Sequence, residues 1–491
     1  MAETIERSAG GGDGLAAEIP ATYLPGVPYA DLPEPVSLGR VVGPGVILLA
    51  AAIGSGEYVI WPFIASRAGL SLMWIAVIGV ITQYFINMEI ERYTLATGET
   101  AVTGFTRLWK PWGVLFIIMT VVPWAWPGWA TGASTTMTFA FGFAESSVVP
   151  ITIMLLIAIG IALTVSPIIY QTVEKAQFVM VGLIVVFLIL AVVQGITADA
   201  WAELGTGLAN PQQIPANLGA VAPAVLLGAL AFAGAGGSLN LVTSNWLRDK
   251  NMGMGARIPR IVSPLTGQEE AAATTGYFFH QDEENLRRWR GWWSVASKEQ
   301  LVTFVLFGIL AIVLLSVLTF ATIGSENVGE QFDFIQAEGE ALQQTVAPWF
   351  GTTFWLTGAI VLFSTNLAVL DMVGRVTADV LKVGALRDND RWTESRVYLI
   401  VVWAEILLGS LILLSGVSQP LLLLVIASAL NGLVMFVYSL LLIRLNNGVL
   451  PASIGLKGGR LVMMWWAVLL YGGFSLFTII DQGRRLFTGG E

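Results

Sequence analysis

The feature that most limits how this chain can fold is its succession of long apolar segments. A helix that crosses the hydrocarbon core of a bilayer needs roughly 17–25 residues. Eleven segments are long enough, at about 42–65, 70–96, 113–142, 148–168, 174–197, 219–246, 299–323, 349–381, 397–416, 420–443 and 460–480. Only 12% of the residues are charged, whereas a soluble protein has about 25%. We therefore predict an all-α polytopic membrane protein with eleven transmembrane helices.

The distribution of basic residues predicts the orientation of these spans. With a cytoplasmic N-terminus, only Arg67, Arg484 and Arg485 of the 25 lysines and arginines face outward. Eight basic residues lie in one connection on the predicted inner side, 247–298, whereas the outer connection 324–348 has five acidic residues and no basic one. The positive-inside rule then predicts a plasma (inner) membrane protein with its N-terminus in the cytoplasm and its C-terminus outside.

The order of the spans predicts the domain organisation. Residues 1–40 lack the pattern of a signal peptide and are predicted to be an irregular cytoplasmic tail, and residues 41–491 are predicted to form the transmembrane domain. Within that domain, about 42–197 and about 219–443 each hold five spans, so the two sets run in opposite directions, and an extra helix follows at about 460–480. This layout is typical of transporters built from inverted repeats.

The connection 247–298 is the longest one between spans and allows two interpretations. We expect it to be a basic cytoplasmic loop that lies against anionic lipid, with Trp289, Trp292 and Trp293 at the membrane interface. The alternative is a docking site for a partner.

The first span of each repeat is interrupted by small residues. The interruptions are "IGSGE" (Ile53–Glu57) and "FAGAGGSLN" (Phe232–Asn240). Each glycine weakens a helix interior by about 0.8–1 kcal/mol relative to alanine, and unwound backbone inside a bilayer has to find other partners. Interruptions at matching places in two repeats predict a binding site near the middle of the membrane. Close packing of helices through small residues is the alternative interpretation.

Longer motifs resemble one family of membrane proteins. The segments "RVVGPGVILLAAAIGSGEY", "QYFINMEIERYTLATGET", "IYQTVEKAQFVMVGLIVV" and "FAGAGGSLNLVTSNW" resemble parts of the natural resistance-associated macrophage protein (Nramp) family of divalent-metal transporters. The resemblance covers most of residues 40–480. It implies a LeuT-like fold, with ten helices in a 5+5 inverted repeat plus one extra helix.

This chain departs from the family's pattern at the residues that bind metal. Gly54-Ser55-Gly56-Glu57 stands where the family has Asp-Pro-Gly-Asn, and Gly237-Ser238-Leu239-Asn240 stands where it has Met-Pro-His-Asn. The acids of the family's third helix have no counterpart in "PWAWPGWATGAS" (Pro123–Ser134). The resemblance therefore implies the fold more firmly than the transported substance.

The two interruptions and one further residue make up the predicted substrate site. Its members are Gly54, Ser55, Gly56, Glu57, Ala235, Gly236, Gly237, Ser238, Asn240 and Asn366, with Glu57 as the metal ligand. Because these residues offer oxygen donors without sulfur, we predict transport of a hard divalent cation such as Mg²⁺ or Mn²⁺.

Two other functions stay open at this point. A small organic solute such as an amino acid or amine is one alternative, with Trp124, Trp126 and Trp129 lining its pocket and Glu57 pairing with an amine. A transporter-like sensor that has lost transport is the other.

Ionisable residues inside spans are functional candidates by default. We predict coupling or gating roles for Glu405, Asp371 and Arg375, and for Trp124 in the third span. The chain has no cysteine, a single histidine, His280, and no nucleotide-binding loop of the G-x-x-x-x-G-K-[ST] type. We therefore predict a gradient-driven symporter, with facilitated passage as the alternative, that is not an enzyme and uses no cofactor. Its predicted partners are the transported solute and membrane lipid, with no nucleic acid.

Overall fold

Eleven membrane-spanning helices make up most of the part of the chain that the structure describes. The computed structural model describes residues 14–210, 212, 217–261, 275–324, 329, 331–389 and 391–488. In chain order the spanning helices are α1 (Pro44–Ala68), α2 (Leu70–Thr97), α3 (Pro111–Phe141), α4 (Glu145–Val165), α5 (Ile169–Gly195), α6 (Pro223–Ala231 and Gly237–Asp249), α7 (Glu283–Ile323), α8 (Pro348–Val383), α9 (Glu394–Leu414), α10 (Pro420–Gly448) and α11 (Gly459–Thr488).

The observed helices confirm the predicted all-α polytopic fold and its spans to within a few residues, apart from α7. Within the described residues, ten helices are long and apolar enough to cross a membrane unaided. The eleventh crossing is α6, whose two pieces have 9 and 13 residues and are each too short to span. Helix α7 begins at Glu283, inside the predicted loop, because the Asp282 side chain caps it by accepting a hydrogen bond from the Asn285 amide at 2.8 Å.

Burial separates central helices from peripheral ones. Helices α1 and α8 are buried along most of their length, whereas α4 and α5 expose most of their apolar side chains. Helix α8 contacts α1, α3, α5 and α9. An apolar helix that is buried on every side belongs to the core of the bundle, so α1 and α8 form the centre and the peripheral helices face lipid.

Two faces of the bundle can be named by their charges. We call the end that carries Arg257, Arg287 and Arg288 the basic face, and the end that carries Asp333 and Glu340 the acidic face. Helices Ala198–Ala209 and Asp333–Thr345 lie at the acidic face, and helix Ala101–Leu108 lies at the basic face. These three helices were absent from the predictions, because each is too short and too polar to stand out as a span.

The N-terminal segment is irregular from residue 14 to residue 37 and is docked on the basic face. The Asn285 side chain accepts a hydrogen bond from the Leu32 amide at 2.8 Å, and the Trp292 indole donates to the Pro33 carbonyl at 2.8 Å. Arg107 donates to the carbonyls of Pro20 and Pro25. The segment from residue 14 onward is therefore part of the folded protein.

The same docking alters the expectation for the tryptophans of the connection 247–298. Trp289 and Trp292 are buried inside the protein, where Trp292 contacts the N-terminal segment, and Trp293 packs against the guanidinium of Arg92. The expectation that all three lie at a lipid interface is wrong for Trp289 and Trp292. Intramolecular hydrogen bonds and burial hold these rings more firmly than an interfacial position would.

Glu338 is a buried carboxyl on the helix Asp333–Thr345, outside the spans. One of its oxygens accepts a hydrogen bond from the Thr319 hydroxyl at 2.8 Å, and the other has no partner among the described residues. Burial raises the pKa of the Glu338 carboxyl to about 8. The folded protein therefore keeps a proton here that the unfolded chain releases at acidic pH.

This raised pKa predicts how stability depends on pH. Because Glu338 binds its proton more tightly in the folded state, its contribution to stability is complete at acidic pH and is lost as the pH rises from about 4.5 to about 8. A rise of that size corresponds to at most about 5 kcal/mol. The melting temperature of the purified protein should fall over this range, and the fall should be smaller in Glu338→Gln. An equal fall in both proteins would contradict the assignment.

Candidate functional site

Helix α6 is broken over Phe232–Gly236, between its two pieces. Three glycines there have positive φ: Gly234 at 114°, Gly236 at 73° and Gly237 at 54°. Side-chain-bearing residues rarely adopt these angles, and a side chain at Gly237 would also overlap the amide of Asn431. The predicted interruption is therefore a real break, and glycine is needed to form it.

The polar groups of this break are held by Gln83 of α2. The Gln83 amide nitrogen donates to the Ala231 carbonyl at 2.9 Å, and its oxygen accepts from the Gly236 amide at 3.1 Å. The Asn240 side chain also accepts from Gly236 at 3.1 Å and donates to the Tyr438 hydroxyl at 3.1 Å. Asn240, a predicted substrate residue, thus binds the broken backbone itself.

Helix α1 differs from the predicted unwound form because it stays helical through its interruption. Ile53–Ile60 forms a π-helical segment between two α-helical parts. A π-turn widens the helix by one residue, keeps most backbone hydrogen bonds within the segment, and often marks a functional site. The Thr365 hydroxyl of α8 donates to the Ala51 carbonyl at 2.8 Å, just before the widened turn. Glycine here widens the helix without ending it.

The widened turn of α1 and the break of α6 touch each other. A side chain at Gly56 would overlap the Phe232 carbonyl, and a side chain at Gly54 would overlap the Thr365 hydroxyl. The small residues therefore allow close approach, as the packing interpretation requires, and they also place two irregular backbone segments at one point. The structure brings together the two interruptions that the sequence paired.

Glu57 lies at this junction and is fully buried. Neither carboxylate oxygen has a hydrogen-bond partner of normal geometry among the described residues. The backbone amides of Glu57 itself and of Gly234 lie beside the carboxylate. Burying a carboxylate with so few partners costs free energy. Glu57 is therefore the group at this site whose charge a bound ligand would most stabilise.

Helix α3 is broken as well, around Pro127, into Pro111–Trp124 and Gly128–Phe141. The break turns Trp124 and Trp129 toward α6, and their rings stack with centroids 4.9 Å apart. The ring centroid of Phe232 lies 5.6 Å from that of Trp124 and 5.9 Å from that of Trp129. The indole nitrogens of both tryptophans lack partners among the described residues. An aromatic wall therefore borders the break of α6.

The remaining predicted substrate residues lie close to the junction with differing surroundings. The Ser238 hydroxyl accepts from Thr120 at 3.0 Å and donates to the Met119 carbonyl, so it holds α6 against α3. Ala235 lies within the break and is buried. Asn366 is buried on α8 with its amide nitrogen unpartnered among the described residues. The side chain of Ser55 is outside the described part of the structure.

The predicted coupling residues lie away from the junction, except Trp124. Arg375 donates to Asp371 at 2.7 Å and pairs with Asp249, the last residue of α6. The Trp246 indole of α6 also donates to Asp371 at 3.0 Å, so both acids tie α6 and α8 together near the basic face. Glu405 is buried on α9, with one oxygen unpartnered among the described residues.

Sequence reasoning missed three residues that shape the site. Gln83 and Thr365 satisfy backbone groups at the two interruptions, and Asn431 of α10 lies against Gly237 with its side-chain oxygen unpartnered among the described residues. Each is a polar residue inside an apolar span, and this sequence feature would have identified them as candidates.

The donors at the junction limit what it can bind. The described residues contain no group of three or more histidine, cysteine, aspartate or glutamate side chains able to hold a metal ion. One carboxylate, backbone carbonyls and neutral side chains are what the junction offers. Such a set suits a cation that keeps part of its water shell, or an organic cation, rather than a tightly caged metal.

Comparisons with known proteins agree with this fold. No protein-family model matches the chain, and no curated protein matches it in sequence. Solved structures that are similar include two of the manganese transporter of Eremococcus coleocola: a mutant, with TM-score 0.62, and a complex with an aromatic bis-isothiourea substituted compound, with TM-score 0.63. Each is 13% identical to this chain, and the match covers 97% of this chain and 92% of the transporter.

These similarities establish the fold. The chain has the fold of the manganese transporter over nearly its whole length, which confirms the predicted LeuT-like fold. It is a multi-pass membrane protein.

The role of Gln83 predicts a loss of stability when its side chain becomes apolar. Gln83→Leu leaves the Ala231 carbonyl without its hydrogen bond, whereas Gly236 keeps the bond to Asn240. A buried polar group that loses its partner costs about 1–3 kcal/mol, so the melting temperature of the purified protein should fall measurably. Gln343→Leu is the control, since Gln343 makes one long bond, of 3.3 Å, near the surface. An equal effect of both changes would contradict a special role for Gln83.

Proposed function

We propose that this chain is a secondary transporter that moves a divalent metal cation, such as Mg²⁺ or Mn²⁺, across the membrane by alternating access. The observation that carries the proposal is Glu57, a fully buried carboxylate without a hydrogen-bond partner of normal geometry among the described residues, at the point where α1 widens and α6 breaks. A cation would supply the missing partner.

The surrounding backbone suits such a ligand. Interrupted helices expose carbonyl oxygens that coordinate cations, and the site lies where transporters of this architecture bind their substrates. Hard divalent ions accept carboxylate, carbonyl and water oxygens, and Mg²⁺ in particular keeps several of its waters. The proposed site therefore consists of Glu57 and the backbone of Gly54, Gly56, Ala235 and Gly237, with water completing the coordination.

Likeness to a metal transporter supports this choice of substrate. The two similar structures belong to a protein named as a manganese transporter. The metal-binding residues that the Nramp resemblance implies are replaced here, so the proposed coordination rests on this chain's own carboxylate and carbonyls.

Ion pairs near the basic face would keep one side of the pathway closed. Arg248 of α6 pairs with Asp379 at 3.0 Å and with Glu394 at 2.8 Å, and Lys250 pairs with Glu174 at 2.6 Å. These bonds tie the second piece of α6 to α5, α8 and α9. Release of the ion through this face would require them to separate.

The proposed orientation and organisation follow the charge distribution. We place the basic face in the cytoplasm, with the N-terminus inside and the C-terminus outside. Residues 1–40 would then be a cytoplasmic tail before the transporter domain 41–491, whose repeats 42–197 and 219–443 would move relative to each other. The transported ion and membrane lipid are the proposed partners.

The aromatic wall favours a second candidate, an organic cation. The rings of Trp124, Trp129 and Phe232 lie together beside the break of α6, and the two indole nitrogens have no partner among the described residues. A primary amine that paired with Glu57 would also gain from cation–π contact with a neighbouring tryptophan, worth about 0.5–2 kcal/mol. The two candidate functions therefore differ in the transported substance, which is a divalent metal ion in one and an organic cation in the other.

Transport of divalent ions into liposomes tests the proposal. Purified protein reconstituted with an Mg²⁺- or Mn²⁺-sensitive dye inside the vesicles should admit one of these ions. Glu57→Gln should lower the initial rate at least about tenfold, because losing the bond to a charged ligand costs roughly 1.5–3 kcal/mol. Glu203→Gln removes a partly exposed charge on the helix Ala198–Ala209 and should transport normally.

The outcomes separate the candidates. Divalent flux that depends on Glu57 supports the metal proposal. Absence of divalent flux, combined with thermal stabilisation of the wild-type protein by an amino acid or amine, would replace it with the organic-solute candidate. Normal flux in Glu57→Gln would remove Glu57 from the mechanism.

A further inference from the structure

A buried polar stripe runs along helix α2 from the break of α6 toward the basic face. Gln83, Asn87 and Glu91 are spaced four residues apart, so they lie on neighbouring turns of one helix face, about 6 Å apart along the axis. All three side chains are buried. Gln83 serves the backbone of α6, which leaves Asn87 and Glu91 without an assigned role.

Helix α7 carries the matching side chains. Gln83 and Phe304 both border Gly234, and α2 and α7 run in opposite directions. The Tyr84 hydroxyl of α2 also lies 2.7 Å from the Ser297 hydroxyl of α7. This antiparallel register predicts that Asn87 lies opposite Gln300, one turn further along each helix. Glu91 lies beside the side chain of Gln300, close enough to interact electrostatically with Glu299. Three polar side chains thus meet between α2 and α7, and Glu299 borders them.

None of the polar atoms of these three side chains has a hydrogen bond of normal geometry within the described part of the chain, although the Gln300 side chain lies near the Glu91 carboxyl. The unpartnered atoms are both polar atoms of Asn87, both oxygens of Glu91 and both polar atoms of Gln300. Most buried side-chain polar atoms in proteins have a partner, and each orphan costs about 1–3 kcal/mol. Six such atoms in one place point to a ligand.

The charges around this cluster define the kind of ligand. Glu299 already accepts hydrogen bonds from the Gly45 and Gly43 amides, at 2.9 Å and 3.3 Å. Arg460 and Arg92 pair with Glu89, and Lys250 pairs with Glu174. No described residue forms an ion pair with Glu91, so its carboxylate could balance one positive charge of a bound cation, and Asn87 and Gln300 could supply neutral amide oxygens.

We propose that Glu91, Asn87 and Gln300 form a second cation site, which binds a hard monovalent cation such as Na⁺. One unpaired carboxylate balances one positive charge, and the amide oxygens complete an all-oxygen shell. The site is distinct from the junction at Glu57.

The position of this second site links it to both interrupted helices. Gln83, on the same face of α2, holds the break of α6, and Glu299 holds the amides at the start of α1. An ion bound between Asn87, Glu91 and Gln300 would therefore stabilise the arrangement in which both helices are held.

Thermal unfolding in matched salts tests this site without any measurement of divalent transport. The purified protein is heated at a constant ionic strength of about 0.15 M, where exposed charges are largely screened, with choline chloride replaced stepwise by sodium chloride. Na⁺ binding should raise the melting temperature by about 2–4 °C. Potassium chloride and magnesium chloride series show whether the site prefers the monovalent hard ion.

Two variants and one control make the result specific. Glu91→Gln should remove the response to Na⁺, whatever its effect on stability in choline. Glu91→Asp keeps the charge and should respond only at roughly tenfold higher Na⁺, a loss of about 1.4 kcal/mol in binding. Glu338→Gln removes another buried carboxyl, near the acidic face, and should respond like the wild-type protein.

Each alternative outcome overturns the proposal. A wild-type protein that responds to no monovalent cation has no such site. A response that persists unchanged in Glu91→Gln places the ion elsewhere, and stabilisation by acid alone would mean that Glu91 binds a proton instead. Because the readout is stability in sodium salts, failure of the divalent-transport proposal leaves this result unaffected.

Discussion

Every backbone amide and carbonyl inside a bilayer has to find a partner within the protein, and this requirement acts most strongly at the break of α6. Five residues leave the helix there, and Gln83 from α2 satisfies backbone groups on both sides of the gap. The position of α2 against α6, the closeness of α1 and the burial of Glu57 all depend on that break being held open in one geometry. The candidate site is thus a consequence of how its backbone is satisfied.

Hydropathy and charge were enough to predict most of the fold. The eleven spans follow from apolar length alone, and the break of α6 follows from its glycines, which the structure places at positive φ. The form of α1 could not be predicted in the same way. Gly54 and Gly56 have the same local chemistry as the glycines of α6, yet they lie in a continuous π-helical segment. The neighbours of these glycines, Thr365 and the Phe232 carbonyl, come from distant helices and are not visible in the local sequence.

The site was predictable in part for a related reason. Glu57 could be predicted because burying a carboxylate inside an apolar span costs free energy. Its neighbours in the chain were predicted with it because they belong to the same interruption. Gln83, Thr365 and Asn431 come from helices distant in sequence, and a single sequence gives no measure of which helices pack together. The docked N-terminal segment shows the same limit, because its contacts with Arg107, Asn285 and Trp292 are set by tertiary packing.

The difference between the two interruptions has a mechanical consequence. At the break of α6 the backbone hydrogen bonds of the helix are interrupted, so the angle between its two pieces changes when the bonds of Gln83 and Asn240 to the break rearrange. In α1 the helix is continuous, and its widened turn contains one more residue than an α-helical turn. Such an extra residue can pass to a neighbouring turn by exchanging one hydrogen bond for the next, which rotates one end of the helix relative to the other without exposing its backbone. The repeats are therefore alike in sequence layout but unlike in motion: α6 can bend, and α1 can twist.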